Sequence, residues 1–325
     1  MKDILITGAD GFIGRHMTEL VDLSGGRVRA ACRQGDKGRG LSPDSSTKTV
    51  YWDLEDRGAG YRGLLEGIEC VIHLAYRRHI PGKTGDQQEL RNINVTGTRA
   101  LAESAAEMGV KRFIFVSSIK VNGEHTWYRD ENNYGKFSET DLPNPVDVYG
   151  ADKYSAEQEV IRTCRDSAME YVILRPPLVY GPGVKGNFLR LLRLVKLGLP
   201  LPLGSVKNLR SLIYVRNLCD ATIKCIHHPR AANQVYLLSD NNISINRLIR
   251  EMAAYMNKNA AIFPFPPDWL NYIGRVTGKK NFMDRMTGSL VIDNQKITID
   301  LGWTPPCAFA AGLKSTVEWY TGLSH

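Results

Sequence analysis

The sequence predicts an α/β fold organised around a doubly wound parallel sheet, and two observations support this prediction. First, a short apolar run over residues 3–7 stops at a glycine-rich turn and gives way to helix-compatible residues. Second, short apolar runs continue to alternate with helical segments over residues 27–175. Strands and helices in this alternation form a parallel sheet, and the carboxyl ends of its strands line a ligand crevice.

The turn after the first strand contains Gly8, Gly11 and Gly14, with Phe12 and Ile13 at the start of the next helix. Glycines here let the backbone turn sharply and let a phosphate approach without meeting a Cβ atom, and a helix N-terminus attracts the anion. The spacing is G-x-x-G-x-x-G rather than G-x-G-x-x-G, so an ordinary glycine-rich turn is the alternative. Because the turn directly follows the first strand, we predict that these five residues bind the pyrophosphate end of a dinucleotide.

A second strand is predicted over residues 27–32, and the residues after it bear on the choice of cofactor. A site for NAD usually has Asp or Glu at the end of this strand, which accepts hydrogen bonds from the ribose hydroxyls. Here Arg33 occupies that place, and with Lys37 or Arg39 it would hold the 2′-phosphate of NADP(H). The alternative is that Arg33 is solvated and that Asp36 reaches the ribose of NAD(H). We favour NADP(H).

Two further strands are predicted over residues 50–52 and 70–75. His73 lies within the second of these apolar runs, so we interpret it as a hydrogen-bonded core residue rather than a catalyst. Residues at the carboxyl ends of the two strands face the crevice and are candidates for cofactor contacts. They are Asp53, Leu54, Leu74, Ala75 and Tyr76.

A helix is predicted over residues 87–108, and a fifth strand over residues 112–118 ends at Ser118. Residues 119–147 are then expected to form a polar loop. A loop of this length at a crevice is too long for a simple connector, so we expect it to be functional or mobile.

Tyr149 and Lys153 lie four residues apart in the next predicted helix and are therefore neighbours on one helix face. A phenol with a reference pKa of about 10 is a weak acid–base group, but a nearby ammonium favours the phenolate. If Ser118 hydrogen-bonds the reacting oxygen, Tyr149 can pass a proton while a hydride moves to or from a nicotinamide. We therefore predict Ser118, Tyr149 and Lys153 as the catalytic residues.

Composition excludes several classes of protein. The 325-residue chain is 43% hydrophobic, which is enough for a large core. No apolar run approaches the roughly 20 residues of a membrane span, and Met1 leads directly into the first strand, so we expect a cytoplasmic protein without an integral membrane segment. Residues 176–325 carry 18 basic and 8 acidic side chains, which we attribute to a small anionic ligand rather than to nucleic acid. The six separated cysteines indicate reduced thiols, and the Cys and His residues over positions 219–228 match no common metal site.

Together, the glycine turn, Ser118 and the Tyr149–Lys153 pair resemble the short-chain dehydrogenase/reductase superfamily, and the further length of the chain resembles its extended branch, which acts on nucleotide-linked sugars. The resemblance implies a Rossmann dinucleotide-binding domain over residues 1–175. It also implies a smaller α/β substrate-binding lobe over residues 176–325, with some of its segments returning to the Rossmann sheet, a UDP-sugar substrate and a homodimer. Further matching motifs are residues 53–54, 73–75, 94–98, 174–182, 210–215 and 301–305.

By the same resemblance, Lys153 also binds the nicotinamide ribose, Pro176 passes the nicotinamide ring, and Asn94 supports the cofactor site. Arg210 and Arg285 match positions at which the family grips the substrate pyrophosphate. The candidate substrate contacts are Ser118, Lys120, Asn187, Arg210 and Arg285.

Departures from the family pattern narrow the reaction. In the 4,6-dehydratases the catalytic hydroxyl is followed by Asp-Glu, which removes water from the sugar. Ser118 is instead followed by Ile119 and Lys120, so we reject that elimination. Arg33, and Leu178 where many epimerases have Asn, argue against a 4-epimerase with tightly bound NAD.

Residues 117–124 and 182–188 resemble bacterial 4-keto-reductases that make UDP-N-acetylquinovosamine or UDP-N-acetylfucosamine. We therefore expect an NADPH-dependent reductase of a UDP-4-keto-6-deoxy-N-acetylhexosamine in surface polysaccharide biosynthesis. The UDP-sugar 4-epimerase is the alternative, and a non-catalytic dinucleotide sensor is a second one.

Overall fold

The computed structural model of the chain describes residues 3–33, 47–55, 60–77, 86–278 and 280–322. The strands in chain order are β1 (Asp3–Thr7), β2 (Arg27–Cys32), β3 (Lys48–Tyr51), β4 (Cys70–His73), β5 (Arg112–Val116), β6 (Tyr128–Asp130), β7 (Asn133–Tyr134), β8 (Glu170–Arg175), β9 (Leu178–Tyr180), β10 (Arg210–Tyr214), β11 (Gln234–Leu237) and β12 (Asn241–Ile243). The α-helices are α1 (Phe12–Leu23), α2 (Gly60–Leu65), α3 (Gln87–Glu107), α4 (Val148–Arg165), α5 (Asn187–Lys196), α6 (Val215–His227), α7 (Ile245–Tyr255), α8 (Pro267–Val276), α9 (Lys280–Thr287), α10 (Gln295–Leu301) and α11 (Phe309–Gly322). Short 3-10 helices span Ile119–Val121 and Pro229–Ala231.

The main sheet has the order β11-β8-β5-β4-β1-β2-β3 within the described residues, and all its strand pairs are parallel. The strand order reverses beside β1, because β2 and β3 lie on one side of it and β4 lies on the other. In open α/β sheets, ligands bind at the carboxyl ends of the strands at such a reversal. The structure therefore confirms the predicted doubly wound α/β fold and brings the connections after β1 and β4 to one crevice.

Helices cover both faces of this sheet. Ile4 and Ile6 of β1 pack into a core with α1 and α6, whereas Leu5 packs into a separate core with α2, α3 and α4. Successive side chains of a strand point to opposite faces, and both faces here are buried. This is why the strands have continuous apolar sequences rather than alternating ones.

The rest of the chain builds a smaller sheet and a hairpin. Strands β12, β10 and β9 form a three-stranded sheet, and β11 pairs with β8 at the edge of the main sheet. Residues 119–147, predicted to be a loop, contain a 3-10 helix and the antiparallel pair of β6 and β7. These strands are too short to give a recognisable alternating pattern, which explains the difference.

A buried ion pair joins α4 to the main sheet. Arg175, the last residue of β8, donates hydrogen bonds from Nε and Nη2 to the two carboxylate oxygens of Glu157 at 3.0 and 2.6 Å. Its Nη1 donates to Asn122 Oδ1 at 3.0 Å, just after the first 3-10 helix. The two charged side chains are 7% and 0% exposed, so neither is hydrated if the other is lost. The pair therefore fixes α4 relative to the ends of β5 and β8.

Replacement of Glu157 by Gln should lower the free energy of unfolding by about 3 kcal/mol, because it leaves the Arg175 charge buried and uncompensated. The measurement is urea denaturation followed by circular dichroism. Glu159→Gln is the matched control, since Glu159 pairs with Arg162 at 2.6 Å in a more exposed setting and its loss should cost less than about 1 kcal/mol. An equal loss of unfolding free energy in the two variants would contradict the role of the Arg175–Glu157 pair in fixing α4.

Candidate active site

The glycine turn after β1 is pressed against the backbone that follows β4. Gly8 has φ of +66°, and a Cβ atom on it would lie 3.0 Å from the Ala75 backbone. A Cβ on Gly14 would lie 2.1 Å from the carbonyl oxygen of Gly8, so α1 can pack this closely only with glycine there. Gly11 caps α1 without a side-chain hydrogen bond, which leaves the first-turn N–H groups to an anion. This geometry fits the pyrophosphate of a dinucleotide.

His73 is fully buried and hydrogen-bonded at both ring nitrogens, as expected for a core residue. Thr98 Oγ1 donates to the Asn94 carbonyl oxygen at 2.6 Å, so His73 Nε2 must donate to Thr98 at 3.0 Å. Nδ1 then accepts from Thr7 Oγ1 at 2.7 Å. Burial lowers the pKa of His73 to about 3, so its ring is neutral. The network ties β1, β4 and α3 together beneath the glycine turn.

Asn94 holds the segment after β4 by two hydrogen bonds. Its Oδ1 accepts from Arg77 N at 2.7 Å, and its Nδ2 donates to Arg77 O at 3.0 Å. Arg77 leaves β4 on the ligand side, as the sequence indicated, and its guanidinium pairs with Asp53 at 2.9 Å at the carboxyl end of β3, a contact that the sequence did not suggest. A Cβ on Gly97 would lie 2.5 Å from the carbonyl oxygen of Leu54, so α3 packs closely there. The predicted cofactor residues Asp53, Leu54 and Asn94 therefore lie together along one side of the crevice.

The other predicted cofactor residues lie around the same edge of the sheet. Phe12 and Ile13 begin α1, and Arg33 directly follows β2 with an exposed side chain. Pro176 is buried after β8, and its carbonyl oxygen accepts a hydrogen bond from Ile119 N at 3.0 Å. The remaining candidates for ribose or phosphate contact lie outside the described residues: Asp36, Lys37 and Arg39.

Lys153 connects the catalytic helix to the strand that leads to Ser118. It is buried in α4, and its Nζ donates to the Val116 carbonyl oxygen, at the last position of β5, at 2.9 Å. Ser118 lies two residues further on, and its Oγ accepts a hydrogen bond from Lys120 N at 3.3 Å. Tyr149 is in the first turn of α4, one turn before Lys153. The structure thus brings the predicted trio to one edge of the sheet.

Tyr76, which is hydrogen-bonded to Asp152, makes a contact with Tyr149 that the sequence did not suggest. The ring of Tyr76 meets that of Tyr149 edge to face, with centroids 4.9 Å apart. Its hydroxyl donates to Asp152 Oδ2 at 3.4 Å, and Lys153 Nζ lies 5.1 Å from its ring centroid. Burial raises the pKa of the Tyr76 phenol and of the Asp152 carboxyl. Tyr76 therefore fixes one side of the Tyr149 ring.

The predicted substrate arginines lie near each other on β10 and α9. Arg210 Nη1 donates to the Gly288 carbonyl oxygen at 3.0 Å, and burial lowers the pKa of Arg210 to about 10, with a further contribution from the Arg285 charge. Burial and the Arg210 charge also lower the pKa of His125, a residue that sequence reasoning missed. Asn187, the fifth candidate, is the first residue of α5.

Residues 4–239 match the NAD dependent epimerase/dehydratase family, and the chain belongs to it. Members of this family are NAD-dependent short-chain dehydrogenase/reductase enzymes that act on nucleotide sugars. The membership confirms that the chain is an enzyme with a nicotinamide dinucleotide cofactor, and it sets aside a non-catalytic sensor.

Three known proteins illustrate the similarity. The "UDP-glucose 4-epimerase" of Vibrio cholerae is 39% identical over 327 residues, which cover 98% of this chain and 95% of that protein. The "N-acetyl-alpha-D-glucosaminyl-diphospho-ditrans,octacis-undecaprenol 4-epimerase" of Escherichia coli O157:H7 is 25% identical over 333 residues, with 98% and 95% covered. The solved structure of MoeE5 in complex with UDP-glucuronic acid and NAD has a TM-score of 0.77 at 25% identity and 99% coverage of both chains.

Among the described residues, no helix is both long and apolar enough to cross a membrane.

Gly8→Ala should weaken NAD binding at least about tenfold, because the added Cβ must push the turn away from the Ala75 backbone. Isothermal titration calorimetry measures the dissociation constant. Gly25→Ala is a matched control, because Gly25 also has a positive φ of +78° but has no atom within 4 Å of the added Cβ. If both variants had the same dissociation constant for NAD as the unmodified protein, the glycine turn would not be the pyrophosphate-binding site.

Proposed function

We propose that this enzyme is a UDP-sugar 4-epimerase that oxidises the C4 hydroxyl and then reduces the 4-keto sugar from its other face. The main support is the 39% identity to a UDP-glucose 4-epimerase over nearly the whole of both chains. This reverses the order of preference that the sequence alone suggested. The bound nicotinamide would supply the hydride acceptor and donor, and side chains of the protein would transfer the proton and orient the sugar.

Tyr149 is proposed to exchange the proton of the C4 hydroxyl. Lys153, buried and held by the end of β5, stabilises the phenolate form by its positive charge. Ser118, at the N-terminus of the 3-10 helix, is proposed to hydrogen-bond the same sugar oxygen and orient it. Epimerisation needs a group that both removes and returns a proton. A phenol whose phenolate is stabilised by a nearby ammonium suits that role.

The nucleotide end of the substrate is proposed to lie between the sheet and the smaller lobe. Arg210 and Arg285 would hold the diphosphate, since guanidinium groups match phosphate oxygens in geometry and charge. Asn187 would contact the sugar or nucleotide from the start of α5. An elimination of water from the sugar is disfavoured, because Ile119 is buried and Lys120 is a cation at the two positions after Ser118.

An NADPH-dependent 4-keto-reductase is the second candidate, and Arg33 favours it. This cation stands directly after β2, where it would contact a 2′-phosphate.

We also propose that the chain divides at residue 175 into a dinucleotide domain and a substrate lobe, and that it forms a homodimer. In that dimer α3 and α4, which pack side by side, would meet the same pair of helices from a second copy.

The two candidates are separated by incubating the purified protein with UDP-sugars and following both product and cofactor. An epimerase should interconvert UDP-glucose or UDP-N-acetylglucosamine with its 4-epimer, with no net change in nicotinamide absorbance. Stoichiometric loss of NADPH on a UDP-4-keto sugar, without interconversion of 4-epimers, would instead establish the reductase.

Tyr149→Phe should lower kcat by a factor of about 100 to 10,000, because it removes the proton-transfer group. Binding of NAD should change little, and calorimetry checks this. Tyr154→Phe on the same helix is the control and should retain activity. Undiminished turnover by the Tyr149 variant would exclude Tyr149 as the acid–base residue.

A further inference from the structure

Four charged residues form a cluster between α4 and the smaller lobe. Lys120 Nζ donates to Glu124 Oε1 at 2.6 Å and to Asp147 Oδ2. Arg285 of α9 lies 3.6 Å from Glu124 and 3.7 Å from Asp147, so it shares the same two carboxylates. Glu124 is only 12% exposed, which limits screening by water. We call these residues the Lys120 cluster.

The Lys120 cluster is in direct contact with the first turn of α4. Asp147 caps this helix, because its Oδ1 accepts from Gly150 N at 2.7 Å. A Cβ on Gly150 would lie 2.7 Å from the Lys120 carbonyl oxygen, so the helix start rests on the Lys120 backbone. The Lys120 ammonium lies 5.8 Å from the ring centroid of Tyr149. Tyr149 is therefore near two lysines, one on its own helix and one before it in the chain.

We propose that Lys120 is a positioning residue that, together with Lys153, sets the proton affinity of Tyr149. The inference deepens the proposed function and rests on it for its catalytic meaning. The ammonium stabilises the phenolate, and Glu124 and Asp147 hold the ammonium in place while partly neutralising it. The same two carboxylates thus limit how far Lys120 lowers the proton affinity of the phenol.

Other charged or titratable groups near Tyr149 are included in this balance. Tyr76 meets the Tyr149 ring from the segment after β4, and its hydroxyl is hydrogen-bonded to Asp152. Lys153 lies one turn further along α4, and Arg285 acts through the Lys120 cluster from the smaller lobe. The changes considered below leave these groups in place, so only the charge within the cluster varies.

The proposal predicts shifts of opposite sign for two substitutions in one cluster. Lys120→Met removes one of the two cations and leaves the two carboxylates in excess of Arg285, so the pKa of Tyr149 should rise by about one pH unit or more. Glu124→Gln removes one carboxylate and leaves both cations, Lys120 and Arg285, so the pKa of Tyr149 should fall by about one pH unit. Lys120→Arg keeps the charge and should restore a value close to that of the unmodified protein.

The test is a pH titration of phenolate absorbance in the full chain saturated with NAD. The signal of Tyr149 is the difference between each protein and the same protein that also carries Tyr149→Phe. Lys136→Met is the matched control, because Lys136 lies 5.6 Å from the ring centroid of a different residue, Tyr134, and its loss should not shift the Tyr149 titration. Thermal unfolding of each variant checks that it is folded.

Shifts in the same direction, or no shift in either variant, would overturn the inference. If Lys120→Met does not fold, Glu124→Gln alone decides, since a purely structural role predicts no downward shift. The titration needs no substrate, so a lack of turnover on UDP-sugars would count against the proposed function and not against this inference. If the enzyme does turn over, the acidic limb of its kcat/KM profile should move in the same two directions.

Discussion

The ion pair between Arg175 and Glu157 is the interaction on which the candidate site depends. It joins α4, which carries Tyr149 and Lys153, to the end of β8, and through Asn122 it also holds the chain just after Ser118. Buried pairs of this kind often add little net stability compared with apolar residues of similar size. They do penalise any arrangement that separates the two charges. A helix that slid along the sheet would lose the pair, so the pair defines one position for α4.

The two sides of the crevice are built by different physical means. On the cofactor side, neutral hydrogen bonds around His73 and tight glycine packing fix the backbone, and burial keeps the imidazole uncharged. On the proposed substrate side, Lys120 and Arg285 are charged and partly exposed. Neutral buried groups thus fix the backbone beneath the glycine turn, whereas the charged side chains of the Lys120 cluster each have more than one partner.

The sequence predicted best what depends on local geometry. The glycines after β1 and the four-residue spacing of Tyr149 and Lys153 have meaning within one turn or one helix, and both lie where expected. The pairing of Arg77 with Asp53 was missed, because it depends on where the chain leaves β4. His125 was missed, because its neighbours come from β10 and α9, far away in the sequence. Lys120 and Glu124 are four residues apart, a spacing that could have suggested their ion pair, although the role of Asp147 as a helix cap was also needed. The choice between epimerase and reductase was beyond the sequence, because it depends on how a sugar turns within the pocket.

Gly150 has a consequence for protein engineering. Gly150 lies between Tyr149 and Lys153 in the sequence and has no room for even one methyl group, because the start of α4 packs against the Lys120 backbone. Transplanting a loop from a homologue with a bulkier residue there would tilt the start of α4 and displace the Tyr149 hydroxyl. Attempts to broaden substrate range by exchanging this region should therefore treat the helix start and the 3-10 helix under it as a single cassette.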